Sequence, residues 1–319
     1  MPRYVVERDM PGAGGEHGAH ADSDGAVARG AARDGAGGRP DHLRAVTMDR
    51  HVAYVREAGT GDPVICIHAS ASSSAQWRPL IDRLAGRFRV LAFDLYGAGR
   101  SPGWPDDRPL TLADEVALLE PILAATGRRV HVVGHSYGGA VALKLALAHP
   151  RWLASLTVFE PVLFSLLMAQ DPDDPAAREI DAVRADTSAA ADRGHLDAAG
   201  ARFVDYWMHA GAWAGMPDAR RRTVAAAMVQ IAGQWHAVFE EPAPLEVFAA
   251  LDVPTLCLVG TDSPASSRAV SRLLAKTLPR ASEVELDGVG HMGPVTHPDR
   301  VNALIEQHLS EMTTRMPPT

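Results

Sequence analysis

Cysteine is nearly missing from this chain of 319 residues: Cys66 and Cys257 are the two, and each stands inside an apolar, strand-like run. Thiols placed as small hydrophobes argue against a disulfide framework and for a reducing, cytoplasmic setting. Aromatics make up 6% of the residues, and no apolar run approaches the roughly 18 residues that cross a bilayer. Residues 1–10 are mixed and charged instead of forming an apolar signal stretch, so neither a membrane span nor a secretory leader is expected. Excess positive charge is missing too. The net charge is −8 and the dense basic cluster is Arg220, Arg221 and Arg222, read as a solvated helix face. Neither nucleic acid nor an anionic membrane surface is therefore an expected partner, and oligomeric state is not readable.

What is present suits a globular protein, with 46% hydrophobic and 22% charged residues. Residues 1–44 are the exception: Gly, Ala, Asp and Arg without periodicity predict a disordered leader, because too few large apolar groups offset the entropy of ordering. His17 and His20 within it are too sparse to hold a metal, and no metal or other cofactor is expected anywhere. Order is expected from residue 45, with strand-like runs in AVTMDRHVAYVREAG and then VICIH.

The most informative stretch is VHVVGHSYGGAVALKLALA at 130–148. A buried-strand pattern runs into GHSYG and then an Ala/Leu-rich helical pattern, so Ser136 sits on a tight strand-to-helix turn, with Gly134 and Gly138 where two backbones must come close. Three further segments have a matching character. His68, Ala69 and Ser70 leave a strand; DLYGAGRS at 94–101 follows another, with Asp94 placed to hold loop amides; and GVGHMGP at 288–294 sets His291 in a glycine-rich turn before a last helix. Glycines 97 and 99 do not make a dinucleotide site, since no helix opens directly on them. Thr111 and Asp114 mark the start of a helix, and residues 72–86 form another, with Trp77, Leu80, Ile81 and Leu84 on one face.

Together these features resemble the α/β-hydrolase family. The resemblance implies an α/β fold with a mostly parallel, twisted sheet flanked by helices. Residues 45–160 and 243–319 would make that core, and 161–242, which carry helical periodicity and no alternation, an inserted helical cap. It further implies a catalytic Ser136 and His291, and an oxyanion hole from the amides of Ser70 and Tyr137, with Ala69 departing from the family's usual glycine. His68, Trp77, Trp207 and Trp213 are the expected substrate-pocket residues.

The third catalytic group stays open. Asp262 follows the strand after the cap, the commoner family location, but lies two residues beyond Gly260 where three is usual, and Ser263 fills the expected slot. Glu160 ends the strand before the cap and is the alternative; Asp262 is favoured. A serine at the elbow argues against the dehalogenases and epoxide hydrolases of this fold, which use aspartate there. The expected activity is hydrolysis of a carboxylic ester, or a similar acyl bond, of a small to medium apolar substrate through an acyl-serine. Serine-dependent carbon–carbon bond hydrolysis is the alternative, and a non-catalytic small-molecule receptor on the same fold a remoter one.

Overall fold

The computed structural model describes residues 5–8, for their backbone alone, and residues 53–315. His17, His20 and the strand-like run at 45–48 lie outside the described residues. Eight strands form one sheet: β1 (Val5–Arg8), β2 (Tyr54–Ala58), β3 (Asp62–Ile67), β4 (Phe88–Phe93), β5 (Val130–His135), β6 (Leu153–Phe159), β7 (Thr255–Gly260) and β8 (Ala281–Leu286), in the order β1-β2-β4-β3-β5-β6-β7-β8. From β4 to β8 all neighbours are parallel, and β2 runs antiparallel to β4. The expectation of a featureless leader over 1–44 is corrected at one point, because Val5–Arg8 pairs in parallel with β2. The unpaired edge of β2 offers backbone hydrogen bonds to a short β-branched segment whose composition alone predicts nothing.

Strands β5, β6 and β7 are buried throughout, since helices cover both faces and the sequence needs no polar alternation there. Along β3 and β4 successive residues go to opposite cores. Val64, Cys66, Val90 and Ala92 pack on the face covered by α1 (Arg78–Leu84), while Ile65, Ile67, Leu91 and Phe93 pack on the face covered by α2 (Leu112–Thr126) and α3 (Tyr137–Ala148). Cys66 and Cys257 are buried and unpaired, and burial raises the Cys257 thiol to about 12, so both are inert fillers. Thr111 and Asp114 form the reciprocal capping box at the start of α2.

Between β6 and β7 the chain is helical: α4 (Ser165–Gln170), α5 (Pro175–Asp192), α6 (Leu196–Trp207), α7 (Ala212–Gly215), α8 (Asp218–Phe239) and a short 3₁₀ turn at Leu245–Ala250. Then α9 (Ala265–Thr277) links β7 to β8, and α10 (Gly293–Thr296) and α11 (Pro298–Arg315) follow β8. Among the described residues no helix is long and apolar enough to cross a membrane.

Candidate active site

Parallel strands deliver their carboxyl ends to one edge, and loops leaving that edge can converge whatever their separation along the chain. Ser136 leaves β5 there with φ 56° and ψ −118°, a left-handed conformation that costs a β-carbon-bearing residue about 1–3 kcal/mol and persists only when neighbours hold it. Two close approaches hold it here. A Cβ on Gly138 would collide with the carbonyl oxygens of Ile67 and His68, and one on Gly134 with that of Gly138, so the start of α3 lies directly against the end of β3.

His291, in the loop after β8, reaches Ser136 across 155 positions of sequence. The Ser136 hydroxyl donates to Nε2 of His291 at 2.9 Å, and Nδ1–H of His291 donates to Glu160 Oε2 at 2.6 Å. All three side chains are buried. The favoured acid of the sequence reading, Asp262, is corrected: it is exposed, its carboxylate accepts from neighbouring Thr261 Oγ1, and the carboxylate against His291 is that of Glu160. Glu160 is turned towards the site by its own left-handed backbone, φ 45°. Its Oε1 accepts from the Gly260 amide at 2.7 Å and from Ser263 Oγ at 2.5 Å, and its Oε2 accepts from Ser267 Oγ at 3.0 Å. Burial pushes the Glu160 carboxyl up, but the hydrogen bond and charge of His291, with those from Ser263 and Gly260, outweigh it and hold the group below its ordinary value. Ser263 thus occupies the sequence slot where an acid was expected and donates to the carboxylate that faces His291.

A second hydrogen-bonded row escaped the sequence reading. The Ala69 amide donates to Gln76 Oε1 (3.1 Å), Gln76 Nε2 meets His135 Nδ1 (3.1 Å), and His135 Nε2 meets the His291 carbonyl (2.8 Å). Burial, with the neighbouring His291 charge, holds His135 well below the ordinary imidazole value, so it is neutral, accepting at Nδ1 and donating at Nε2. Its place one residue before Ser136 was the available signal.

Ser70 and Tyr137 face the same cavity as Ser136, and the Tyr137 amide opens α3 and so has no carbonyl a turn earlier to bond. Ala69 fits in place of glycine because the left-handed residue of this loop is Ala71, φ 52°. The cavity has about 270 Å³ of empty space, part of it open to solvent, and is walled by Val162, Phe203, Trp207, Ile231, Gln234, Trp235 and Val238, mostly from α6 and α8. Of the four expected pocket residues, Trp207 is there, its ring 4.2 Å from that of His291. The other three are corrections. Trp77 is buried in the core with Leu80 and Ile81, since the helical spacing that marked it describes a core face equally well. His68 is locked beneath the loop, with Nδ1 on the Ala69 carbonyl and Nε2 accepting from the Leu95 amide. Trp213 packs edge-on against Gly200 of α6. Among the described residues no cluster of three or more His, Cys, Asp or Glu side chains is placed to hold a metal ion.

The family model for the alpha/beta hydrolase fold matches residues 62–298. A pimeloyl-[acyl-carrier protein] methyl ester esterase from Aeromonas hydrophila is 38% identical over 104 residues, which are 32% of this chain and 39% of that protein. Two other curated relatives are matched over 26% and 39% of their own lengths. Among solved structures, an alpha/beta hydrolase from Sphaerobacter thermophilus is 26% identical with a TM-score of 0.63, covering 81% of this chain and 96% of that one. A thermophilic esterase from Thermogutta terrifontis is 25% identical with a TM-score of 0.62, covering 82% of this chain and 93% of that one.

Proposed function

The chain belongs to the alpha/beta hydrolase family, and we propose that it is a serine hydrolase that cleaves a carboxylic ester of a small to medium substrate through an acyl-serine intermediate. The observation that carries this reading is the unbroken row from Ser136 through His291 to Glu160, with spacings of 2.9 and 2.6 Å. A serine hydroxyl is a poor nucleophile until a base can take its proton. His291 Nε2 takes that proton as Ser136 Oγ bonds to the acyl carbon, and Glu160 steadies the imidazolium without itself being protonated. The carbonyl oxygen, now negative, receives hydrogen bonds from the Ser70 and Tyr137 amides; a single such donor is worth roughly a hundred- to a thousandfold in rate. The proton passes to the leaving alcohol, and water repeats the cycle on the acyl-enzyme with His291 again as base. The walls of the cavity over Ser136 are mostly apolar, which suits an apolar acyl group.

The test is a stopped-flow burst with 4-nitrophenyl acetate. One equivalent of nitrophenolate per enzyme, together with an acetyl adduct on Ser136 by mass spectrometry, is the expected result, and Ser136→Ala should show neither. Turnover of the ester that survives Ser136→Ala would refute the reading. Turnover of a vinylogous diketone without any ester activity would move the reaction to carbon–carbon bond cleavage.

A further inference from the structure

Within the cavity over Ser136 most walls are hydrocarbon, and one carboxamide stands among them. Gln234 on α8 is 3% exposed and lines this cavity beside Phe203, Trp207 and Trp235. The Ser70 hydroxyl donates to its Oε1 at 2.6 Å, which fixes the carboxamide plane and leaves both Nε2 hydrogens without an acceptor among the described residues. Nε2 borders the cavity, and a donor in an apolar wall is unfavourable unless water or a ligand answers it. An acyl group bound against these walls displaces the water that reaches Nε2, so the ligand itself supplies the acceptor.

The location narrows which part of the ligand does so. The Ser70 amide and the Ser70 hydroxyl belong to one residue: the first is the oxyanion donor of the proposed reaction and the second the anchor of Gln234. The Gln234 carboxamide is thereby tied to the residue that supplies one of the two oxyanion amides. We propose that Gln234 selects acyl groups that carry an ether or keto oxygen within a few bonds of the scissile carbonyl, over plain alkanoates of the same size. This rests on the acyl-serine reading and adds a substrate class to it: oxygen-substituted short-chain acyl esters and the corresponding lactones. A plain alkanoate leaves Nε2 stripped of water and unpaired, whereas an oxygenated chain satisfies it; the difference is about tenfold in kcat/KM.

Isosteric pairs of 4-nitrophenyl esters test this: methoxyacetate against butanoate, 3-methoxypropanoate against pentanoate, and 4-oxopentanoate against 4-methylpentanoate. An ether oxygen accepts and cannot donate, so these pairs read a donor in the cavity wall, and the Gln234 variants separate that residue from the Trp207 indole N–H, which has no partner among the described residues. Each kcat/KM is divided by the hydroxide-catalysed rate of the same ester, which removes the intrinsic activation by the extra oxygen. The wild type should favour the oxygenated member of at least one pair about tenfold. Gln234→Met, which removes the donor, should bring that ratio to about one. Gln234→Glu, which keeps the acceptor for Ser70 and replaces the donor with a negative oxygen, should bring it below one. Wild-type ratios near one in all three pairs, or a ratio that survives in either variant, overturn the proposal while leaving the acyl-serine reading untouched. That reading fails separately, if Ser136→Ala hydrolyses these esters at the wild-type rate.

Discussion

At Glu160 burial and hydrogen bonding oppose each other, and the residue's role follows from which wins. A carboxylate without solvent and without partners takes up a proton; this one has Gly260, Ser263, Ser267 and His291 around it and stays charged. Glu160→Gln preserves shape and removes the charge that stabilises the imidazolium, so kcat should fall by about ten-thousandfold. Asp262→Asn, at an exposed loop position, should stay within about twofold, and steady-state kinetics of the two variants on one ester checks both. Equal losses would mean that His291 is oriented by neither. That Ser136 and His291 come together was legible in the sequence because each lies in its own glycine-rich turn. The acid was not, because two carboxylates each follow a parallel strand and spacing along the chain does not say which strand end lies nearer the histidine. Ser263 in the acid's usual slot was a sign that pointed the right way and was outweighed by the commoner location.

The elbow acts through two elements at once. Ser70 follows β3, and Tyr137 begins α3, so the distance between their amides is set by how closely α3 approaches the end of β3. Gly138 makes that approach possible. Gly138→Ala should push the start of α3 off the Ile67 and His68 carbonyls and part the two amides, lowering kcat by a hundredfold or more while changing KM far less. Near-UV circular dichroism confirms that the variant is folded; a folded Gly138→Ala with wild-type kcat would contradict the account. Elements of this kind read well from sequence, because β3 to β7 are continuous apolar runs and α5, α6 and α8 keep a helical period. Strand β1 did not, since four residues bounded by charge and glycine acquire their conformation only from the edge of β2. The pocket read poorly for a related reason: a tryptophan on a helix face is spaced alike whether that face meets a core, as Trp77 does, or a cavity, as Trp207 does.

Over the whole molecule, the buried titratable groups set how stability follows pH. Glu115 on α2 lies under the elbow, fully enclosed, accepting from the Tyr96 amide and the Tyr137 hydroxyl at 3.2 Å each. Burial raises it to about 8 despite those two hydrogen bonds, against about 4.3 in an unfolded chain. Between these values the folded state holds a proton that the unfolded state has lost, so this group makes stability fall as pH rises towards 8. Buried histidines act in the opposite sense. Burial lowers His131 to about 4 and His135 well below its ordinary value, so each holds fewer protons when folded and costs stability as pH drops below about 6.5. With His68 and His308, which burial also lowers, these histidines outweigh one carboxyl below that point, and the carboxyl acts alone above it. The melting temperature should therefore peak near pH ~6.5 and decline towards pH 8. Glu115→Gln keeps one oxygen to accept from the Tyr96 amide, can donate its NH2 to the Tyr137 hydroxyl oxygen, and removes the titrating proton, so it should abolish the decline. At pH 8 the variant should melt several degrees above the wild type, and at pH 4 the two should coincide. Scanning calorimetry across that range decides it, and parallel curves for the two proteins would mean that Glu115 is ionised in the fold at neutral pH.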